Sequence, residues 1–227
     1  MFVKDWMNKE VITVAEDAPL LDAVHLMRDH HIRQLPVVTK EKVTGIITEK
    51  DIKEFSPSRA STLDIYEMHA VLARTTVKEV MSGKVVTVSP EDPIEKAALI
   101  LRDRRFGGLP VVDSQGRLTG IITTIDIFDV FVEAMGMRTP GSRVSVEVED
   151  RPGAIAEMTQ IFKSHRINII SLATFFLKGE DRRFREVVYR IASTDPANID
   201  HAVEELRKRN FRITSVLNSD RLMVLEK

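Results

Sequence analysis

Hydrophobic positions follow two different spacings along the first half of the chain. Short runs rich in Val, Ile and Thr have the character of buried strands, and a polar turn separates two of them. Between the runs, apolar residues recur at the three- and four-residue spacing of an amphipathic helix, which Pro19 opens in its first turn. The pattern predicts strand, helix, strand, strand and helix in order: residues 11–14, 19–27, 35–38 and 43–48, with the last helix beginning near residue 49.

The same pattern occurs twice in the chain. With a shift of 74 residues Met7 falls on Met81, and the Leu-Pro-Val-Val strand at Leu35 falls on that at Leu109. The second copy then gains one residue in a polar turn, after which Thr-Gly-Ile-Ile-Thr recurs in register. Because one such unit alone leaves an open hydrophobic face, we expect the two copies to pack against each other.

The third segment of the chain has a different pattern. From residue 143, apolar and polar residues alternate as in a half-buried strand, and the remaining elements give the order βαββαβ, the ferredoxin-like arrangement. Gly and Pro cluster before this segment, as at a domain boundary. We therefore expect an α+β protein with two β-α-β-β-α repeats at 1–55 and 77–135, a ferredoxin-like domain at 143–217, linkers at 56–76 (helical) and 136–142, and a tail at 218–227.

Composition narrows the class of protein. Lys plus Arg is 33 and Asp plus Glu is 34, so the chain lacks the basic excess of a nucleic-acid binder. The absence of cysteine excludes disulfides and thiolate sites, and the six scattered histidines lack metal-ligand spacing, so we expect no metal. No signal-peptide core is visible, and no run reaches the roughly 18 apolar residues that span a bilayer. We expect a cytoplasmic protein that binds neither membrane nor nucleic acid.

The most informative motif is Thr-x-x-Asp, which follows the second strand of each copy and opens the next helix. It occurs as Thr48 with Asp51 and as Thr123 with Asp126. Unpaired N–H groups and the helix dipole at such a junction favour a phosphate, and a carboxylate can accept hydrogen bonds from both ribose hydroxyls. Phosphate plus ribose indicates a nucleotide. The alternative is that each Thr is a helix N-cap and each Asp only complements the dipole.

With these motifs the copies resemble cystathionine-β-synthase-type (CBS) domains, and the pair resembles a Bateman module, over residues 3 to about 132. Modules of that family commonly bind AMP, ADP, ATP or S-adenosylmethionine in two symmetry-related clefts. The resemblance implies that the threonines meet phosphate or ribose oxygens, that the aspartates meet ribose hydroxyls, and that residues around the first two strands border the adenine. The implied nucleotide-binding residues are Ile12, Thr13, Arg33, Gln34, Pro36, Thr48 and Asp51 in the first copy, and Val86, Thr87, Gly108, Pro110, Thr123 and Asp126 in the second.

The two copies differ where the chain leads into the Leu-Pro strand. The first copy has Arg33 and Gln34, and the second has Gly107 and Gly108. Arg33 could neutralise a phosphate, whereas the glycines offer no side chain. Arg104 and Arg105, just before the glycines, could still reach a phosphate; the alternative is that they form a solvated helix end. We therefore expect two unequal sites.

The turn that follows the alternating strand resembles the strand-to-helix turn of ACT domains, regulatory modules with the same βαββαβ order. Gly153 would allow close backbone approach, and the helix N-terminus that follows would suit a carboxylate. Such modules often bind amino acids at a subunit interface; the alternative is a turn without a ligand. The implied ligand-binding residues are Asp150, Gly153, Ala154, Asn168 and Ile169.

Two CBS-type copies followed by an ACT-type domain resemble the acetoin utilization protein family of bacteria. We expect a non-catalytic sensor with an adenine nucleotide as regulatory ligand rather than a cofactor, an amino acid or small acid in the ACT-type domain, an unknown protein partner, and a homodimer. No nucleophile–base pair, metal set or Gly-rich phosphate loop favours an enzyme. The alternatives are a ligand-free dimerisation module and a regulatory subunit of a metabolic enzyme.

Overall fold

The computed structural model describes residues 1–55, 65–176, 183–192 and 195–218. The protein has a mixed α+β fold, as predicted, and divides into two compact units, one at Met1–Phe128 and one from Asp129 onward. Residues 56–64 of the predicted helical linker and residues 219–227 of the predicted tail lie outside the described residues.

The first repeat builds a three-stranded sheet. Strand β1 (Val14–Ala15) runs parallel to β2 (Gln34–Thr39), which pairs antiparallel with β3 (Lys42–Thr48). Helix α1 (Leu20–Asp29) connects β1 to β2, and α2 (Glu49–Phe55) follows β3 directly. The first strand is shorter than the run predicted over residues 11–14, because only its last residue and the residue after it pair with β2.

The second repeat follows the same order after two connecting helices, and its sheet has two strands. The counterpart of β1 is reduced to a single parallel bridge between Val88 and Val111. The elements are α3 (Ile65–Arg74), α4 (Val77–Val80), α5 (Ile94–Arg104), β4 (Gly108–Val112), β5 (Leu118–Thr123) and α6 (Thr124–Ala134).

The two repeats exchange the segments that precede them. The Met7 side chain, ahead of the first repeat, lies over Gly120 of the second, and Met81 lies over Gly45 of the first. A Cβ added to Gly120 would lie 2.6 Å from the Met7 sulfur, so the methionine requires a glycine opposite it. This exchange explains why both the methionine and the glycine recur in the repeat. Antiparallel bridges between Asn8 and Ile121 and between Ser82 and Ile46 hold the exchanged segments.

The second unit contains a four-stranded antiparallel sheet in the order β7-β8-β6-β9, with two helices, and so has the predicted βαββαβ sequence of elements. The alternation predicted from residue 143 is confirmed, since Val144, Val146 and Val148 are buried in the core. The elements are β6 (Ser142–Glu149), α7 (Ala154–Ser164), β7 (Ile169–Phe175), β8 (Phe184–Ile191), α8 (Pro196–Lys208) and β9 (Arg212–Leu217).

Candidate functional site

The first Thr-x-x-Asp motif lies at the junction of β3 and α2. The backbone N–H and the hydroxyl of Thr48 both donate to Oδ2 of Asp51, at 2.8 and 2.6 Å. The backbone N–H of Asp51 donates back to the Thr48 hydroxyl at 3.2 Å. Both residues are half-buried. This reciprocal pattern caps the helix N-terminus and fixes the position of the carboxylate.

The second motif repeats this geometry at the junction of β5 and α6. The backbone N–H and the hydroxyl of Thr123 donate to Oδ2 of Asp126 at 2.6 and 2.7 Å. The return hydrogen bond from the Asp126 N–H is 3.4 Å long. The two sites are therefore built alike down to the oxygen atom that the cap uses.

Each cap occupies only one oxygen of its carboxylate. Within the described parts of the chain, Oδ1 of Asp51 and Oδ1 of Asp126 take part in no hydrogen bond, because both donors of each threonine converge on Oδ2. The capping role and a ribose-binding role are thus compatible in one side chain, since a carboxylate has about four acceptor positions.

The cap geometry alone does not make a binding site. Ahead of α4, the N–H and the hydroxyl of Thr76 donate to Oε1 of Glu79, both at 2.8 Å, in the same reciprocal pattern. This third cap is exposed and lies in the segment that connects the repeats. A binding function for the other two must therefore depend on what surrounds them.

The residues leading into the Leu-Pro strands lie beside the two threonines. Gln34 is the partner of Thr48 in the β2–β3 ladder, and Gly108 is the partner of Thr123 in the β4–β5 ladder. The register of each hairpin therefore places the residue that leads into the Leu-Pro strand beside the threonine of the Thr-x-x-Asp motif. The resemblance assigns both residues to one ligand.

A cation lies at the first site. The carbonyl of Arg33 accepts a hydrogen bond of 2.9 Å from the N–H of Glu49, the first residue of α2. The pKa of Glu49 is lowered, chiefly by a hydrogen bond from Lys53, and the positive charge of Arg33 contributes. In the second copy the carbonyl of Gly107 accepts the equivalent bond from the N–H of Thr124 at 3.1 Å, and glycine offers no charged side chain at this position. The two junctions thus differ in the side chain at one repeat position, and the inequality of the two sites stays a prediction.

The residues expected to border the adenine occupy the start of each sheet. Ile12 and Thr13 directly precede β1, and the parallel pairing of β1 with β2 places them toward the end of β2 at which Gln34 lies. Val86 and Thr87 precede the equivalent bridge of the second copy. Both predicted prolines, Pro36 and Pro110, are buried within the sheets, where they pair with Ile46 and Ile121.

Thr13 also lines a cavity between the two repeats. The cavity has a volume of about 490 Å³ and is bordered mainly by the hairpin turns of both sheets. Thr13 thus faces the second repeat as well as its own strand. The other lining residues are Val38, Glu41, Asp113, Arg117, Leu118 and Thr119.

A second cavity, of about 530 Å³, lies in the ACT-type domain where β6 turns into α7. Asp150, Gly153 and Ala154, three of the five residues implied by the resemblance, line it. Gly153 has φ of +89°, a left-handed conformation that a residue with a side chain adopts at a cost. The left-handed backbone therefore accounts for a glycine at this turn, while the close backbone approach to a ligand that the sequence predicts stays a prediction.

Charged side chains of both signs surround this second cavity. Arg185 forms an ion pair of 2.9 Å with Asp150, and Arg151 forms a two-bond pair with Glu157 at 2.7 and 2.8 Å. The hydrogen bond from Arg151 lowers the pKa of Glu157. Lys163 also lines the cavity.

Sequence reasoning missed Arg185, although a signal was present. In β8 the residues at alternate positions after it, Val187, Tyr189 and Ile191, belong to the buried core. Arg185 therefore has the parity of the helix-covered face, and a charged residue at such a position indicates a specific role.

The structure does not bring Asn168 and Ile169 to this cavity. Ile169 pairs with Ile191 at one end of β8, whereas the strand that leads to Asp150 ends opposite Phe184, at the other end. The length of β8 separates the two groups by about 20 Å within one chain. The resemblance alone, without the register of the sheet, had placed them in one set.

Among the described residues, no group of three or more His, Asp or Glu side chains is arranged to hold a metal ion. No helix in the same part of the chain combines the length and apolar character needed to cross a membrane.

Both parts of the chain match families of known proteins. The family model of the CBS domain matches residues 3–58 and 77–133, and that of the ACT domain matches residues 142–211. An uncharacterized protein of Methanocaldococcus jannaschii is 32% identical over 155 residues, which cover 58% of this chain and 92% of that protein. That relative therefore consists almost entirely of the part that it shares with 58% of this chain.

Two solved structures are similar to the same region. A Vibrio cholerae protein provisionally assigned to acetoin utilization superimposes with a TM-score of 0.50 at 27% identity, covering 61% of this chain and 95% of that one. The CBS pair of a second protein, solved with 5′-methylthioadenosine and S-adenosyl-L-methionine, has a TM-score of 0.47 at 30% identity and covers 58% and 95%. The chain belongs to the CBS-domain family and carries a tandem CBS pair followed by an ACT domain.

Proposed function

We propose that this protein is a non-catalytic regulatory sensor that binds an adenine nucleotide in its CBS pair. The observation that carries the proposal is the duplicated site in which a capped aspartate keeps one carboxylate oxygen available, beside the residue that leads into the Leu-Pro strand. CBS pairs of the resembled family commonly bind AMP, ADP, ATP or S-adenosylmethionine, and the site chemistry suits the ribose and phosphate that these ligands share.

Each part of such a ligand has a matching group. The ribose hydroxyls would donate to Oδ1 of Asp51 or Asp126, the phosphate would meet the helix N-terminus, and the adenine would lie against the start of the sheet. At the first site Arg33 adds a positive charge, so a phosphorylated ligand is favoured there. The second site lacks this cation and suits a ligand with less negative charge.

The proposed role is regulatory because these groups bind and do not react. They are acceptors, a helix terminus and one cation. Ligand binding to both halves of the pair would favour one arrangement of the repeats, and differential affinity for two arrangements is what a sensor requires. A regulatory subunit of a metabolic enzyme fits the same chemistry.

The ACT domain would supply a second input. Its cavity is lined by Glu149 and Asp150 together with Arg185 and Lys163, and charges of both signs suit the ammonium and carboxylate groups of an amino acid, or the carboxylate of a small acid. Asn168 and Ile169 could join such a site only from a second chain, which is consistent with the proposed homodimer.

The biological setting is part of the proposal. The similarity to the Vibrio cholerae protein supports a link to acetoin utilization. The proposed regulator is cytoplasmic and acts on an unknown protein partner.

A thermal-shift screen of the full chain tests the proposal. AMP, ADP, ATP, S-adenosylmethionine and amino acids would be added to the wild type and to Asp51→Ala and Asp126→Ala. A ligand at 100 times its dissociation constant stabilises the folded state by about 2.7 kcal/mol, which raises the midpoint visibly. We expect a nucleotide-dependent rise that each aspartate variant reduces.

Glu79→Ala is the matched control. It removes the same type of cap from α4 without touching either proposed site, so it should lower the midpoint without changing the rise that a nucleotide produces. If no nucleotide shifts the wild type, or if Glu79→Ala reduces the rise as much as the aspartate variants do, the motifs are caps only. The ligand-free dimerisation module would then be the better account.

A further inference from the structure

One repeat position is occupied by different residues in the two copies, and these residues meet. Gln34 and Gly108 lie 74 residues apart and are equivalent in the repeat. A Cβ added to Gly108 would overlap the amide nitrogen of Gln34, and a Cβ added to Gly107 would lie 3.5 Å from the Gln34 amide oxygen. The Gln34 side chain therefore also occupies the space that a side chain at position 108 would fill, and the second copy has only a glycine there.

This single amide borders both candidate nucleotide sites. Gln34 is the ladder partner of Thr48, while the glycine that it covers, Gly108, is the ladder partner of Thr123. Each of these threonines holds the aspartate of its site. Gln34 is half-buried, and in the described part of the chain its amide makes no hydrogen bond. A primary amide offers two donors and one acceptor to phosphate or ribose oxygens on either side.

We propose that Gln34 couples the two sites, an inference that rests on the proposed function. Its amide serves one ligand at a time, so occupation of one site draws it to that ligand and weakens binding at the other. The first site fills first, because Arg33 adds a cation that the second site lacks. The glycine at position 108 allows the amide to reach both sites.

Isothermal titration of the full chain with AMP tests this coupling. Asp126→Ala leaves the first site and Asp51→Ala leaves the second, so these variants give the affinity of each site alone. For independent sites the wild-type isotherm would equal the sum of the two. We expect the second binding step of the wild type to be weaker than that sum predicts by at least about fivefold, the lower range of measured couplings.

The same three titrations in a Gln34→Ala background should show no such difference. Gly108→Ala is a second variant that displaces the amide and leaves it chemically intact, and it should abolish the coupling as well. If Gln34→Ala fails to fold, Gly108→Ala alone tests whether Gln34 couples the two sites.

The outcomes separate the two proposals. A wild-type isotherm equal to the sum, binding at one site only, or a difference that survives in both variants overturns the coupling and leaves nucleotide sensing intact. No binding of AMP or of the other nucleotides to the wild type overturns both.

Discussion

At the scale of single residues, glycine decides how closely the two repeats approach. A Cβ at Gly120 would lie 3.0 Å from the carbonyl oxygen of Asn8 as well as against Met7. A side chain could shift aside, but the backbone of an exchanged segment, held by hydrogen bonds of 2.9 Å to Ile121, cannot follow easily. The recurrence of glycine at this repeat position is therefore a packing requirement and not evidence of ligand binding.

We predict that Gly120→Ala lowers the free energy of unfolding by about 1–3 kcal/mol, the usual cost of overpacking a close contact. Gly83→Ala is the control, because a Cβ there meets no atom within 4 Å. Urea unfolding of both variants measures the difference. Equal stability of the two variants would contradict the close approach of Met7 and Asn8 to the second repeat.

At the scale of elements, the turn between β6 and α7 is stabilised by charge. Arg151 in the turn holds Glu157 in the first turns of α7, and this hydrogen bond lowers the pKa of Glu157 below its ordinary value of 4.5. A carboxylate with a lowered pKa in the folded state stabilises the fold above its ordinary pKa and loses that contribution as the pH falls through the folded value. The turn should therefore weaken in acid.

We predict that Glu157→Gln makes the thermal midpoint of the ACT domain less sensitive to pH between about pH 5 and pH 3, because the variant has no carboxylate to protonate. The effect is small, since the pair is exposed. Calorimetric scans across this range measure it, with Glu204→Gln, on α8, as the control. An unchanged pH profile in Glu157→Gln would show that the ion pair does not stabilise the turn.

The elements themselves could be predicted where spacing alone decides them. Helical periodicity and β-branched runs give the order of both repeats, and alternation gives β6. The exact extent of β1 could not be predicted, because it depends on how many residues find a partner in β2, and Val14 is the first that does.

For the candidate sites, too, local features could be predicted from the sequence and long-range contacts could not. Thr48 and Asp51 are close in sequence, so their junction position follows from local pattern. The contact between Gln34 and Gly108 depends on how the repeats pack, which a single sequence does not specify. The separation of Asn168 from Asp150 depends on sheet register, which is likewise a long-range property.

At the scale of the whole molecule, the chain contains two compact units with separate candidate sites. The two aspartate sites lie in the CBS pair, and the cavity of about 530 Å³ lies in the second unit. A ligand that binds only one folded unit stabilises that unit by mass action. Two units can therefore report two ligands independently in one experiment.

We predict two transitions in differential scanning calorimetry of the full chain, one for each unit. AMP should raise one transition and leave the other within error, and an amino acid that binds the ACT domain should do the reverse. A single transition that both ligands raise together would contradict independent units.

If the two capped aspartates form two nucleotide sites, the stoichiometry of binding will reveal both of them. Isothermal titration with AMP should give two bound ligands per wild-type chain, one for Asp51→Ala, one for Asp126→Ala and none for the double variant, while Glu79→Ala keeps two. Nucleotide binding that survives in the double variant, or none in the wild type, would contradict the account.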